Sequence, residues 1–254
     1  MTISLITVCY NSAAHIQTAI ESVLAQTYQD IEYIIVDGNS KDGTVDIIKN
    51  YVSRFKDCQL KWVSEPDHGL YDAMNKGIRM ATGDIIGILN SDDFYNYPHC
   101  IETVAKVFDD SKTDACFGDI CFVKPENLNK IVRYYSSVKF HPRRFRFGFM
   151  PAHPTFFVQK KYFEKFGYYK IDYQIAADFE LLVRFLYTNQ LKYQYIPLNM
   201  VKMRTGGIST LSWKSNYIII KENVRACREN DIYTNLLIVF LKYFRKIFEL
   251  IPFR

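Results

Sequence analysis

The chain has 254 residues, of which 48% are apolar and 23% are charged, and its net charge is +5. An apolar fraction of this size supports a sizeable buried core and argues against an intrinsically disordered chain. No apolar run reaches the roughly 18 residues of a transmembrane helix, and the N-terminus lacks the features of a signal peptide.

The cysteines do not indicate a metal site. Six are present, none of them in a C-x-x-C pair, and no histidine spacing completes a zinc-binding pattern. We therefore expect mostly buried, reduced thiols and a cytoplasmic protein.

In chain order, the first half alternates between strand and helix patterns. Strands are predicted at 3–8, 31–36, 60–65 and 84–90. The pattern after the first strand repeats at helical spacing from Ile16 to Leu24, with Asn11 or Ser12 as the N-cap. Strands and helices that alternate with short connections predict an α/β fold with a parallel, doubly wound sheet.

Polar side chains follow each of these four strands. They are Tyr10 and Asn11, Asp37, Glu65 and Asp67, and finally Asp92 and Asp93. Ligands of such sheets bind beyond the carboxyl ends of the strands, so we expect these side chains to converge on one cleft.

The second half of the chain is less regular. Helices are predicted at 98–108, 160–167 and 178–188, and strands at 115–123, 153–158 and 192–203. Asp178 opens the last of these helices, and a glycine-rich loop follows the last strand.

Asp92 and Asp93 are adjacent carboxylates at the end of an apolar strand. Oxygen ligands suit Mg²⁺ and Mn²⁺, and Mg²⁺ commonly takes one or two protein carboxylates and completes its shell with water and substrate phosphates. The alternative is a solvated turn in which one aspartate caps the next helix.

Several motifs in order resemble those of family 2 glycosyltransferases with the GT-A fold, a mostly parallel central sheet flanked by helices. They are TVCYN (7–11), VDGNSKDGT (36–44), SEPDHGLYDAMNKGI (64–78), GDIIGILNSDD (83–93) and IAADFELLVRF (175–185). GGIS (206–209) is similar to related polysaccharide enzymes, and the resemblance covers roughly residues 3–210.

The resemblance implies a role for each strand-end residue. Those assigned to the nucleotide are Val8, Tyr10 and Asn11 at its border, Asp37 on the uracil or ribose side, and Glu65 and Asp67 at further contacts. Asp92 would lie near the ribose or donor sugar, and Asp93 would bind the Mg²⁺ or Mn²⁺ that bridges the diphosphate. Many members have D-x-D-D where this chain begins with Asn90, which adds a hydrogen-bond acceptor but no charge.

Asp178 matches the position at which the family has a catalytic aspartate or glutamate. The resemblance implies that it is the general base that takes the proton of the acceptor hydroxyl. The alternative from the residues alone is an N-cap aspartate, and the two roles are compatible. His153 precedes a predicted strand and is a candidate contact for the donor phosphate or the acceptor, although a lone histidine is also often structural.

Basic residues cluster at 139–148, where Arg143, Arg144 and Arg146 alternate with aromatic residues. This composition suits the phosphate of a lipid-diphosphate acceptor, single-stranded nucleic acid, or a solvated loop.

The segment 232–254 repeats apolar residues at helical spacing from Leu237 to Ile251, with basic residues on the opposite face. A basic amphipathic helix of this kind can lie on an anionic membrane surface. It can equally pack on its own domain or on a second copy in an oligomer.

The resemblance, taken with these features, implies an inverting, metal-dependent transferase that moves a hexose or N-acetylhexosamine from a UDP-sugar to a lipid-linked saccharide, at the inner face of the cytoplasmic membrane. The predicted parts are a nucleotide-sugar-binding half (1–95), an acceptor-binding half of the same domain (96–213) and a helical C-terminal extension (214–254). Two alternatives are a sugar-phosphate nucleotidyltransferase and a non-catalytic module that binds nucleotides or nucleic acid. TVCYNSAAH lacks the glycine-rich, arginine-containing loop of the former, and the intact acidic residues argue against the latter.

Overall fold

A computed structural model describes residues 1–55, 59–110, 112–206 and 213–240. The elements of the first half are β1 (Ile3–Cys9), α1 (Ile16–Leu24), β2 (Ile31–Asp37), α2 (Thr44–Val52), β3 (Leu60–Ser64), α3 (Leu70–Met80), β4 (Ile85–Ile88) and β5 (Phe94–Tyr95). This order confirms the predicted alternation of strands and helices.

The first four strands form a parallel sheet. β1 lies between β2 and β4, and β3 pairs with the outer side of β2. Every residue of β1, β2 and β4 is buried, as expected of parallel strands that are covered by helices on both faces. The carboxyl ends of these strands therefore meet at one edge, which we call the carboxyl edge.

The start of α1 differs from the prediction. The helix begins at Ile16 with His15 at the N-cap position, so neither Asn11 nor Ser12 caps it. Asn11 has a φ of 48°, which is a left-handed conformation that interrupts a helix. Its amide N–H donates to Ser40 Oγ at 2.7 Å and its Oδ1 accepts from Lys41 N at 2.9 Å. Asn11 thus joins the ends of β1 and β2.

The second half contains α4 (Cys100–Phe108), β6 (Ala115–Lys124), β7 (Asn127–Tyr135), β8 (Phe157–Gln159), α5 (Lys161–Phe166), α6 (Ala177–Val183), β9 (Tyr193–Arg204), α7 (Trp213–Glu229) and α8 (Leu236–Phe240). Short 3-10 helices cover Pro142–Phe147 and His153–Thr155, and a π-helical turn, Arg184–Thr188, extends α6. The sequence did not predict β7, because this strand is mostly exposed and has no regular apolar face.

All strands of the described segments join one sheet in the order β3-β2-β1-β4-β8-β6-β9-β5, with β7 paired to β6. β8 runs antiparallel to both β4 and β6, so the sheet is mixed beyond β4, where the sequence predicted a mostly parallel one. Gly87 pairs with Phe157, and a Cβ at Gly87 would lie 2.3 Å from the Phe157 ring. The start of β8 therefore lies at the carboxyl edge.

The stretch from 214 onward begins within α7, whose inner face packs into the main core. Ala226 and Cys227 are fully buried in the same apolar cluster as Phe179 of α6. In α8, Val239 is fully buried, whereas Leu237 and Phe240 are 75% and 48% exposed. Most of the predicted amphipathic stripe, 241–251, lies outside the described residues. Within the part of the chain that the structure covers, no helix is long and apolar enough to span a bilayer.

Candidate functional site

Asp37 is fully buried at the end of β2, and its carboxylate is occupied by neighbours. One oxygen accepts from Ser40 N at 3.0 Å and from Ser64 Oγ at 2.6 Å, and the other accepts from the Ser40 hydroxyl. Cys9 Sγ lies 3.5 Å from the same carboxylate. Asp37 therefore fixes the loop between β2 and α2, and its contact with a uracil or ribose stays a prediction.

The residues that were predicted to contact the nucleotide differ in their exposure to solvent. Tyr10 is 64% exposed, and a Cβ at Gly38 would lie 3.4 Å from the Tyr10 ring and 2.6 Å from Asp67 Oδ2. Tyr10 and Asp67 therefore both lie against Gly38, although they follow different strands. Val8, in contrast, is 3% exposed and its side chain packs in the core. Half-exposed Glu65 pairs with Lys76 Nζ at 3.0 Å.

Asn90, Asp92 and Asp93 form a tight turn after β4, which we call the acidic turn. Asp93 N–H donates to Asn90 O at 3.1 Å, and Asn90 Nδ2 donates to Asp93 Oδ2 at 3.3 Å. The other side-chain oxygens, Asn90 Oδ1 and Asp93 Oδ1, are buried and have no hydrogen-bond partner among the described residues. Burial, aided by the charge of Asp92, raises the pKa of Asp93 well above its usual value.

These two unpartnered oxygens fit a bound cation. A buried carboxylate oxygen without a partner is costly. A divalent cation would pair the negative charge of Asp93 and occupy its free Oδ1. In the described segments, no group of three or more His, Cys, Asp and Glu side chains could enclose a metal by itself. The acidic turn therefore suits a cation that takes few protein ligands and the rest from water and phosphate, as Mg²⁺ does.

Arg204, at the end of β9, supports the acidic turn from the far side of the sheet. Its guanidinium donates to the carbonyl of Asp92 and, through Nη2, to Thr18 Oγ1 at 3.0 Å. The same group lies 5.1 Å from the centre of the Phe94 ring, and the residue is 8% exposed. Sequence reasoning missed this role, since the sequence shows only a lone basic residue before a glycine-rich loop.

Asp178 is the second residue of α6, which begins at Ala177 with Ala176 at the N-cap position. The predicted N-cap role of Asp178 is therefore wrong, although its Oδ1 accepts from the Phe179 N–H at 2.7 Å. Burial raises the pKa of Asp178, the positive charge of His153 opposes that shift, and Glu222 adds to it. A carboxylate with a raised pKa is a better base near neutral pH.

His153 joins Asp178 at the carboxyl edge. It lies just before β8, is 6% exposed, and its Nε2 is 2.7 Å from the Tyr169 hydroxyl. Burial lowers the pKa of His153, and Asp178 counteracts this. In the nucleotide-sugar-binding half (1–95), which we also call the donor half, the Tyr71 hydroxyl at the start of α3 donates to Ile175 O, three residues before Asp178. These contacts join the two halves of the chain, while a contact of His153 with phosphate or acceptor stays a prediction.

Two of the three arginines of the basic cluster, Arg143 and Arg146, are located by different contacts. Arg143 is exposed and lines a cavity of about 780 Å³ with Lys192 and Tyr193. β9 runs in the same direction as β4, because β9 is parallel to β6 and β8 is antiparallel to both β6 and β4. Tyr193, the first residue of β9, therefore lies at the edge of the sheet opposite the acidic turn. Arg146 instead lies beside the C-terminal segment, where its carbonyl accepts from Thr234 Oγ1 at 2.6 Å. Arg143 therefore lies away from the carboxyl edge, and a phosphate contact of the cluster stays a prediction.

Comparison with known sequences identifies relatives for most of the chain. The family described as glycosyl transferase family 2 matches residues 4–167. An uncharacterized glycosyltransferase of Mycobacterium tuberculosis is 33% identical over 185 residues, which cover 72% of this chain and 68% of the relative. A Mycobacterium bovis protein named PGL/p-HBAD biosynthesis glycosyltransferase is 27% identical over 221 residues, covering 86% and 81% of the two chains.

Comparison with solved structures shows the fold. TarS of S. aureus, in complex with UDP-GlcNAc, superposes with a TM-score of 0.70 at 17% identity and covers 92% of this chain and 68% of its own. A mannosyltransferase of Pyrobaculum calidifontis, in complex with GDP-Man and Mn²⁺, gives 0.67 at 18% identity, covering 88% and 64%. The expected GT-A fold is therefore confirmed.

Proposed function

The chain belongs to glycosyl transferase family 2, and from this premise we propose that it transfers a hexose or N-acetylhexosamine from a UDP-sugar to a saccharide, with inversion at the anomeric carbon. One observation carries the proposal. The unpartnered oxygens of Asn90 and Asp93 lie at the same edge of the sheet as Asp178, the half-buried carboxylate with a raised pKa.

The donor half supplies the binding groups for a nucleoside diphosphate sugar. We place the nucleoside in the cleft between Tyr10 and Asp67, and the diphosphate beside the acidic turn. Asp93 and Asn90 would hold Mg²⁺ or Mn²⁺, which stabilises the negative charge that develops on the departing diphosphate. The nucleotide sugars bound to the two superposed structures support this class of donor.

Asp178 is the general base of the proposed reaction. The acceptor hydroxyl oxygen forms a bond to the anomeric carbon while the bond from that carbon to the diphosphate oxygen breaks. The hydroxyl proton passes to the Asp178 carboxylate, and the diphosphate leaves with the bonding electron pair. Because the attack is direct and opposite the leaving group, the configuration inverts.

We further propose a lipid-linked acceptor at the inner face of the cytoplasmic membrane. Leu237, the first member of the predicted stripe, is an apolar residue that is 75% exposed. Such a surface suits attachment of 232–254 to anionic lipid. The printed name of the Mycobacterium bovis relative, which refers to PGL/p-HBAD biosynthesis, is consistent with a glycolipid product but belongs to that protein alone.

A donor screen tests the proposal. UDP-glucose, UDP-galactose, their N-acetyl forms and GDP-mannose are each incubated with the full chain and Mn²⁺, Mg²⁺ or a chelator, and the released nucleotide is measured. We expect release from at least one UDP-sugar, only with a divalent cation. Asp109→Asn, an exposed aspartate at the end of α4, is the matched control and should behave as wild type. Metal-independent release, or release from GDP-mannose alone, would contradict the proposed donor site.

A further inference from the structure

The segment 167–176, between α5 and α6, has no regular structure of its own and leads directly to Asp178. We call it the base loop. Side chains from three helices hold its backbone. Asn75 of α3 bonds both backbone groups of Tyr169, accepting from its N–H at 2.9 Å and donating to its carbonyl at 2.8 Å. Arg184, in the turn that extends α6, donates to the carbonyls of Gly167 and Tyr168 at 2.7 and 2.8 Å.

Glu222 of α7 makes the most concentrated contact with the base loop. Its carboxylate accepts three consecutive backbone N–H groups, from Gln174 at 2.7 Å, Ile175 at 3.0 Å and Ala176 at 2.8 Å. Glu222 is 9% exposed, so these hydrogen bonds form in a poorly solvated place, where charge-assisted bonds are strong. The Tyr71 hydroxyl holds the same segment by donating to the Ile175 carbonyl.

We propose that Glu222 is the positioning residue of the general base. This inference rests on the proposed function of Asp178. Three N–H groups converge on one carboxylate immediately before the helix on which Asp178 is the second residue, so the direction of α6 depends on α7. A small displacement of a reacting group lowers turnover strongly, by as much as about a hundredfold for roughly 1 Å.

Glu222 also acts on Asp178 through its charge. The titratable groups that influence Asp178 from the surrounding elements are His153, Tyr71 and Tyr169 besides Glu222. Burial is the main cause of the raised pKa of Asp178, and the negative charge of Glu222 adds to it by favouring the protonated form. Removal of that charge should therefore lower the pKa of Asp178. Exposure of Asp178 to water would lower this pKa as well, so the Glu222→Asp variant, which keeps the charge, separates the two causes.

The test compares Glu222→Gln with Glu229→Gln on the same helix. Glu229 binds Lys170 at 2.8 Å and the Tyr173 hydroxyl at 2.9 Å but makes none of the three N–H contacts. The titration midpoint of Asp178 is read by NMR from isotope-labelled aspartate carboxyl carbons, with the resonance assigned by its absence in Asp178→Asn. This readout needs no turnover, so a failure of the proposed function is recognised separately when Asp178→Asn retains full activity.

We expect Glu222→Gln to lower the Asp178 midpoint, to move the acid limb of kcat to lower pH and to reduce kcat roughly ten- to a hundredfold. The KM for the donor should not change, and Glu229→Gln should keep the wild-type midpoint. A folded Glu222→Gln protein with the wild-type midpoint and kcat overturns the inference. If Glu222→Gln does not fold, Glu222→Asp keeps the charge and shortens the reach. Glu222→Asp should lower kcat and leave the titration midpoint of Asp178 unchanged. A wild-type kcat in Glu222→Asp would also overturn the inference.

Discussion

The acidic turn carries the buried Asp93 carboxylate and the base loop leads to the half-buried Asp178 carboxylate at the same carboxyl edge, but the two segments are held in different ways. The hydrogen-bond partner of Asp93 is Asn90, three residues away, and one of its oxygens has no partner among the described residues. The base loop is held by Glu222 and Tyr71, which are separated from it by 46 and 104 residues at their contacts with Ala176 and Ile175. The side-chain hydrogen bond of Asp93 is therefore local, with Arg204 as the distant charge beside the acidic turn, whereas the base loop is held by distant helices.

The largest effect should come from Asp178→Asn. Asparagine keeps an oxygen that can accept the Phe179 N–H, so α6 and the base loop should keep their structure. Turnover should fall on the order of a hundredfold or more, because no group remains to take the acceptor proton. Binding of UDP with Mn²⁺, measured by calorimetry, should be nearly normal. Comparable turnover in mutant and wild type would place the base elsewhere.

Asp93→Asn should remove the metal-dependent part of UDP binding while the protein stays folded. The amide has a similar shape but no charge for a cation. Calorimetry with UDP, in Mn²⁺ and in a chelator, measures the difference. An unchanged difference between the two conditions would exclude Asp93 as the metal ligand.

The same variant should change how stability depends on pH. The pKa of Asp93 is raised in the folded protein, so folding binds a proton. Without metal, the stability of the wild-type protein should therefore fall as the pH rises from the unfolded pKa of about 4 towards the folded pKa. The stability of Asp93→Asn should lack this decrease with pH. Thermal unfolding of both proteins in a chelator from pH 4 to pH 8 gives the comparison. Parallel curves would show that Asp93 has a partner.

Arg204→Lys should weaken the acidic turn without removing a candidate ligand. Lysine cannot reproduce the forked contacts with the Asp92 carbonyl and Thr18, so unfolding should become easier by about 1–3 kcal/mol. Metal-dependent UDP affinity should fall roughly tenfold, as for other groups that support a metal ligand. Arg228→Lys, at an exposed arginine of α7, is the control and should change neither quantity. Equal affinities in Arg204→Lys and Arg228→Lys would show that the guanidinium does not support the donor site.

Removal of 241–254 should have the smallest effect on the sites of Asp93 and Asp178, measured as UDP binding and turnover. A cut after Phe240 keeps Ile232, Thr234 and Val239, which are buried, whereas a cut after Asp231 would remove all three. The shortened protein should bind UDP normally but leave anionic vesicles in a flotation assay. High salt should partly reproduce that release, since it screens headgroup attraction. If the full chain ignores such vesicles and the cut instead dissociates an oligomer, this segment is a packing element.

Patterns that act over a few residues were sufficient to predict the donor half. Strand–helix alternation indicated β1 to β4, and the rule for parallel sheets placed Asp37, Asp67 and the acidic turn at one edge. The predicted start of α1 was wrong, whereas the side chain of Val8 is buried and its nucleotide contact stays a prediction. Neither burial of one side chain within a sheet nor the left-handed conformation of Asn11 follows from apolar spacing.

The sequence by itself determined the class of protein, the four parallel strands and the identity of the carboxylates, because each depends on residues close together in the chain. Only the tertiary structure decided that β8 reverses direction beside β4, that Arg204 supports the acidic turn and that Glu222 holds the base loop. These contacts join segments 46 or more residues apart. Hydrogen bonds of that kind form only after the intervening chain has packed, and no local spacing encodes which donor meets which acceptor.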